Sequence, residues 1–229
     1  MPTRPLFDPE HLPVEPSLAV LPAVPPARLD AAALRERFAR RPVVAWTTER
    51  AEAAREHDGD LRLAAVLIGL IDRPQGVTVL LTHRAAHLTD HAGQISFPGG
   101  RCDPGDRDAA DTALREAWEE VALPRACVEV LGELPDYLTG TGYAVTTVVG
   151  LVHPPFTVAA CDDEVAEVFE VPLAFLMDPA NHQIRVFHAG DDSRRFFSMP
   201  YPRETGEGQH FIWGATAGML RNLYRFLIA

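Results

Sequence analysis

Cysteine is scarce. Cys102, Cys127 and Cys161 are the only three in the chain; they lie far apart and their number is odd. Neither a disulfide framework nor a zinc-ligand spacing follows from them, which favours a reducing compartment and hence a cytoplasmic protein. Cys102 lies in a glycine loop, but no neighbouring motif marks it as a nucleophile. Long apolar runs are also missing. The longest, Leu63–Ile71, is far too short to span a bilayer. The first residues lack the basic segment and apolar stretch of a signal peptide. Positive charge is the third shortage: 21 Lys and Arg stand against 32 Asp and Glu, for a net charge of −11 with no basic tract. That argues against nucleic acid or an anionic membrane as partner. It leaves room for a polyanionic small substrate, because a bound divalent cation reverses the local sign.

What is present suits one domain with an extension: 229 residues, of which 47% are hydrophobic. Residues 1–28 hold eight prolines and should be extended and partly irregular, since each proline fixes φ and removes a donor. Asp30 can cap a helix over Ala31–Arg40 with Leu34 and Phe38 on one face, ended by Pro42. That helix could pack on its own domain or on a second copy, so the sequence is compatible with a homodimer. A second short helix fits 49–57, with a turn at 57–60. The main domain then begins at Leu61.

Leu61–Ile71 is nearly all apolar, as in a strand buried on both faces, and makes a hairpin with Val77–Thr82. Further strands fit Cys127–Leu134, Tyr143–Val152 and Val165–Val171, with a loop over Pro135–Gly142. A short helix at Leu173–Leu176 follows. A hairpin of Ile184–Phe187 with Arg195–Met199 then turns around residues 190–192, and an amphipathic helix over Trp213–Leu227 closes the chain. This order predicts an α/β layered domain.

The most informative stretch runs from Phe97 to Val121. Pro98, Gly99 and Gly100 make a tight loop at Gln94–Gly100, Pro104-Gly105 turns again, and Asp106 or Asp108 can cap a helix from Ala109 to Ala122. On a helical wheel, Ala110, Ala113, Leu114, Ala117, Trp118 and Val121 share one side. Glu116, Glu119 and Glu120 share the other, within an arc of about 100°. Like charges at i,i+4 cost about 0.2–0.5 kcal/mol on an exposed helix. Such a face is usually only solvated. Here a glycine turn precedes it, whose backbone N–H groups can meet phosphate while the carboxylates hold a hard cation such as Mg²⁺ or Mn²⁺ over the same phosphate. Arg115 can steady the carboxylates. Arg84, at a strand end, is a candidate phosphate contact, with a surface ion pair as the alternative. His83, His87 and His91 recur at spacing four, but the glycines nearby favour a loop over a helical metal site.

Gly100–Leu123 resembles a Nudix box, in which a glycine and a glutamate precede Arg-Glu-U-x-Glu-Glu-x-Gly-U, with U aliphatic. Arg115-Glu116-Ala117-Trp118-Glu119-Glu120-Val121-Ala122-Leu123 fits it, with Ala122 in place of the glycine. The spacing from Gly100 to Arg115 is one residue longer than the general pattern. Arg107 stands where the first glutamate is expected, so that Asp106 or Asp108 substitutes for it. Upstream, Leu80-Leu81-Thr82-His83-Arg84-Ala85, Gly93, Phe97-Pro98-Gly99-Gly100 and Asp103 resemble a second signature, that of the coenzyme A pyrophosphatase branch of Nudix hydrolases. Thr89 stands where that branch usually has arginine. Glu164–Leu173 and Ile212–Ala217 look like the same branch.

The resemblance implies a Nudix α/β/α sandwich with a mixed central sheet over 61–229, and residues 1–60 as an extension. It implies metal-dependent hydrolysis of a nucleotide diphosphate, with coenzyme A or its derivatives cut to 3′,5′-ADP and 4′-phosphopantetheine or its acyl form. Glu116, Glu119 and Glu120, with the Gly100 carbonyl, would hold Mg²⁺ or Mn²⁺. Glu164, with Glu167 behind it, or Glu116 itself, would be the general base. Arg84, Arg101, Phe97 and Gly99 would contact substrate, and loops around Tyr137 and Tyr201 would choose the leaving group. The rivals are a Nudix enzyme for ADP-ribose, dinucleotides or nucleoside triphosphates, and a non-catalytic nucleotide- or partner-binding domain.

Overall fold

The apolar run after residue 61 forms the middle of the sheet. The computed structural model describes every residue except 1–7, 16, 17, 19, 41–47, 52–60, 89, 90, 190, 191 and 204. Most of the helix expected at 49–57, the turn at 57–60, Pro42, Thr89 and most of the turn at 190–192 lie outside the described residues.

In chain order the elements are α1 (Ala31–Arg40), β1 (Arg62–Ile71), β2 (Thr78–Arg84), β3 (Ile95–Ser96), β4 (Gly99–Arg101), α2 (Ala109–Val121), β5 (Val128–Leu138), β6 (Tyr143–Val152), β7 (Val165–Pro172), α3 (Leu173–Leu176), β8 (Gln183–Ala189), β9 (Asp192–Pro202), β10 (Gln209–Trp213) and α4 (Gly214–Ile228). Seven strands form a mixed sheet with the path β3-β2-β1-β6-β5; β4 pairs with β1 and β7 with β2. β1 lies parallel to β6 along its whole length, and the other pairs are antiparallel. β8, β9 and β10 make a separate antiparallel sheet.

Strand alternation sends β1 residues to two cores. Ala65 and Leu67 pack under Ala113, Ala117 and Val121 of α2. Ile68 and Leu70 join Leu220, Leu223 and Leu227 of α4 on the other face. The result is the layered α/β/α arrangement with helices on both sides of a mixed sheet.

Two expectations shift for physical reasons. β5 runs through Pro135 to Leu138 instead of ending at Leu134. It is an edge strand, where a missing N–H costs no ladder bond, and its register slips between Leu134 and Tyr137. The loop over Gln94–Gly100 contains strand: Gly99–Arg101 pairs with Ala64–Val66. A Cβ on Gly99 would lie 2.5 Å from the Ala65 carbonyl oxygen, so only glycine permits that approach.

The described residues of the N-terminal segment are docked. α1 packs on its own domain, with the Phe38 and Phe226 ring centroids 4.5 Å apart. Val24 is 3% exposed within the α4-side core. Tyr224 Oη donates to the Pro22 carbonyl, and Arg185 Nη1 donates to the carbonyls of Glu10 (2.8 Å) and Leu12 (2.7 Å). Arg185 is itself buried, and stranding a buried donor costs about 1–3 kcal/mol, more when it is charged. Deleting residues 1–28 is therefore expected to lower the melting temperature by about 10 °C, read by differential scanning fluorimetry. An unchanged melting temperature would show the arm to be a loose extension.

Candidate active site

α2 carries the site, and its two ends are closed by different means. Asp108, not Asp106, is the N-cap: its Oδ1 accepts from Asp111 N at 2.8 Å. At the other end Ala122 takes the left-handed conformation, φ 54°. Its N–H donates to Trp118 O, and Leu123 N–H donates to Ala117 O. A Cβ in that conformation costs about 1 kcal/mol or more, and helices usually place glycine there. Ala122→Gly is thus expected to raise stability by about 1 kcal/mol, or about 2–4 °C in melting temperature. A fall in melting temperature would contradict this account of the cap.

The helix buries Ala113, Ala117 and Val121 fully, while Trp118, expected in the same stripe, is 54% exposed. Geometry explains the exchange. Trp118 lies about 100° from Ala117, the middle of the stripe, and Glu120 only about 60°. Glu120 is accordingly 3% exposed. Its Oε2 accepts from Gly99 N at 3.2 Å, and Arg84 Nη1 lies 3.5 Å from its Oε1. Burial, reinforced by the charges of Glu116 and Glu164, pushes its pKa up to about 7 against the pull of Arg84 and Gly99. The Glu116 carboxyl is also pushed up, chiefly by burial and against Arg115. It lies directly on Gly100: a Cβ there would fall 2.5 Å from Glu116 Oε1.

Arg115 organises the acidic face. Nε and Nη2 donate to the two oxygens of Asp106, both at 2.9 Å. Nη1 donates to Glu116 (2.8 Å) and Glu119 (3.0 Å), and Nη2 also donates to the Arg101 carbonyl (3.1 Å). Asp106 is held well below the usual carboxylate range by those Arg115 hydrogen bonds. It is thus the acid that partners the box arginine, where Arg107 occupies the expected glutamate position.

Glu164 reaches the cluster through the chain after β6. Ala159 N and Cys161 N donate to the carbonyls of Val121 and Glu120, capping the end of α2. Glu164 N then donates to Cys161 O, and Glu164 O accepts from Ala85 N beside Arg84. Glu164 is exposed, whereas Glu167 accepts two bonds from Arg203 Nη1, at 3.0 and 3.3 Å.

Phe97, Arg101 and Tyr137 each have partners within the protein. Phe97 is 2% exposed and packs in the α4-side core; its ring anchors the loop. Arg101 is exposed, and its Nε donates to Tyr143 Oη at 2.7 Å. Tyr137 is buried, with its ring over Gly218 of α4; Tyr201 lines a cleft. His83, His87 and His91 turn to separate partners, Gly93 O, Asp163 O and the Gln94 side chain. Cys102, Cys127 and Cys161 are free thiols.

Among the described residues no three His, Cys, Asp or Glu side chains form a ready metal cage. Arg115 draws Glu116 and Glu119 to itself while Arg84 faces Glu120. The donor set still fits a hard divalent ion: its atoms are all oxygens, from three carboxylates and the Gly100 carbonyl, and Glu120 is a buried carboxylate whose ionised form is disfavoured where it stands. Among the described residues no helix is long and apolar enough to cross a membrane.

A family model described as the NUDIX domain matches residues 60–189. An Escherichia coli K12 protein named as an uncharacterized Nudix hydrolase, NudL, is 46% identical over 163 residues, covering 71% of this chain and 81% of that protein. NudL of Shigella boydii serotype 18 is 45% identical over the same shares. Among solved structures, the Nudix hydrolase RenU of M. smegmatis is 24% identical, with a TM-score of 0.43 over 56% of this chain and 81% of that one.

Proposed function

The chain belongs to the NUDIX domain family, and from that premise we propose that it is a metal-dependent pyrophosphohydrolase whose substrate is coenzyme A or a derivative. The products are 3′,5′-ADP and 4′-phosphopantetheine or its acyl form. The observation that carries the reading is Glu120. One motif supplies its carboxylate from α2, and the other supplies the two groups facing it, Arg84 and the Gly99 N–H. Both signatures thus meet at one buried carboxylate.

Glu116, Glu119 and Glu120, with the Gly100 carbonyl, would hold Mg²⁺ or Mn²⁺. Such an ion supplies charge neutralisation, orientation of the diphosphate and acidification of water. Arg84 offers a guanidinium to phosphate oxygens, and its Nε is buried without a partner among the described residues. Gly99 and Gly100 let the backbone approach closely. Arg115, braced by Asp106, sets the directions of Glu116 and Glu119. Glu164 is the general base: it is exposed beside the cluster, while Glu167 is occupied by Arg203.

The test is a product assay with Mg²⁺ or Mn²⁺ and equal concentrations of coenzyme A, ADP-ribose, NADH, a diadenosine polyphosphate and a nucleoside triphosphate, read by mass. Release of 3′,5′-ADP from coenzyme A well ahead of other cleavage is expected. Faster cleavage of another compound would discard the substrate and keep the helix chemistry. No cleavage of any, with metal bound, would favour a binding module.

A further inference from the structure

Arg62 opens β1, Arg101 closes β4, and both turn to Tyr143 at the start of β6. Strand register puts the three side chains on one face. Arg62 stands opposite Tyr143 in the β1–β6 pair, and Ala64, on the same side of β1, stands opposite Arg101 in the β1–β4 pair. The Arg62 guanidinium carbon lies 4.0 Å from the centroid of the Tyr143 ring, and that of Arg101 lies 5.6 Å from it. Each guanidinium gives one nitrogen to the protein. Arg62 Nη2 donates to the Thr141 carbonyl at 2.7 Å, and Arg101 Nε donates to Tyr143 Oη at 2.7 Å. Among the described residues neither arginine forms an ion pair, and the Nη1 and Nη2 edge of Arg101 has no partner. Arg84 and Arg115, which border the same site, are both paired with carboxylates. In a chain of net charge −11, two exposed arginines fixed around one ring without a carboxylate leave positive charge open to an anion.

The pair adjoins the carboxylate cluster. Arg101 directly follows Gly100, whose missing Cβ makes room for Glu116, and the Arg101 carbonyl accepts from Arg115 Nη2 at 3.1 Å. Gly100 and Arg101 face opposite sides of β4, and among the described residues β4 pairs only with β1. A ligand crossing the open edge of β4 meets the carboxylates on one side and the arginines on the other.

We propose that Arg62 and Arg101, both braced on Tyr143, clip a phosphomonoester of the substrate separate from the diphosphate that is cut. The inference rests on the pyrophosphohydrolase reading and names the group by which the substrate is chosen. In coenzyme A that group is the 3′-phosphate, which a single ribose joins to the diphosphate. A phosphomonoester carries a charge of about −1.5 to −2 at pH 7 and offers its oxygens to two guanidinium forks. ADP-ribose and NADH have no such group. Stacking on Tyr143 fixes the guanidiniums before the ligand arrives, which lowers the ordering cost of binding.

The test is calorimetric titration of the full chain in Mg²⁺ with 3′,5′-ADP and with 5′-AMP, which lacks only the 3′-phosphate. The parent is expected to bind 3′,5′-ADP at least about tenfold tighter. In Arg62→Ala and in Arg101→Ala that difference should shrink to about threefold or less. Arg62→Lys should keep part of it, because an ammonium retains the charge without the fork, and this variant guards against a folding artefact. Equal binding of the two nucleotides by the parent, binding of neither, or an undiminished difference in either alanine variant would overturn the clip. The reaction is tested apart, with coenzyme A and dephospho-coenzyme A. Cleavage of both with equal kcat/KM would remove the clip and leave the pyrophosphohydrolase reading. Cleavage of neither would remove that reading, and with it the clip's role in choosing a substrate.

Discussion

Replacing Glu120 by Gln is expected to cut turnover by about 10²–10³-fold or more, since a metal's charge stabilisation is worth several kcal/mol, while the fold survives. Gln keeps the shape and can still accept from Gly99 N, but it cannot supply the charge. Near-parental activity at saturating Mg²⁺ would remove Glu120 from the metal-holding set. The same substitution has a second signature. Burial and neighbouring carboxylates place the folded pKa of Glu120 at about 7, above that of an unfolded glutamate at about 4.3. Between these values the metal-free folded state keeps a proton that the unfolded state has lost. The associated stability is complete below about pH 4.3 and is lost as pH rises through about 7. Gln is neutral throughout, so at pH 8 the metal-free variant should exceed the parent by roughly 3–4 kcal/mol. Melting curves in chelator from pH 5 to 8 measure this, and parallel curves would contradict it.

The second large effect belongs to Arg115. Arg115→Ala is expected to lower kcat/KM by about 10–100-fold, the usual cost of removing a side chain that orients metal ligands. It also releases Asp106 and leaves Glu116 and Glu119 without their shared donor. Arg115→Lys should recover only part of the loss, because an ammonium cannot make the forked contact with Asp106. A rise in the Mg²⁺ concentration needed for half-maximal rate separates positioning from a general loss of fold. Parental activity in Arg115→Ala would show that the carboxylates need no brace.

Much of the site was legible because helical spacing is rigid. Three glutamates at i, i+3 and i+4 must share a face, and Arg115 must reach the residue four ahead, as it does at Glu119. β6 and α3 were legible to the residue, since β-branched runs and prolines mark their ends. Depth was harder to read. Trp118 looks more buried by type than Glu120, yet the reverse holds, because Glu120 lies nearer the Ala117 stripe and is covered by Gly99 and Arg84. Phe97 shares a loop with Gly99, but loop membership does not say which way a ring turns, and this one turns into the core. β10 was missed because Gln209–Trp213 alternates over too few residues to stand apart from the helix that follows. The docked arm was illegible for a different reason: its backbone bonds run to Ile184, Arg185 and Tyr224, more than 150 residues away.

The most direct single measurement is Mn²⁺ binding followed by electron paramagnetic resonance, on the full chain and its Glu120→Gln variant without substrate. If the buried carboxylate is kept for a cation, the parent should take up Mn²⁺ and the folded variant should bind it at least about tenfold more weakly. Equal binding by the two proteins would place the metal elsewhere and contradict the assignment of α2 as the catalytic helix.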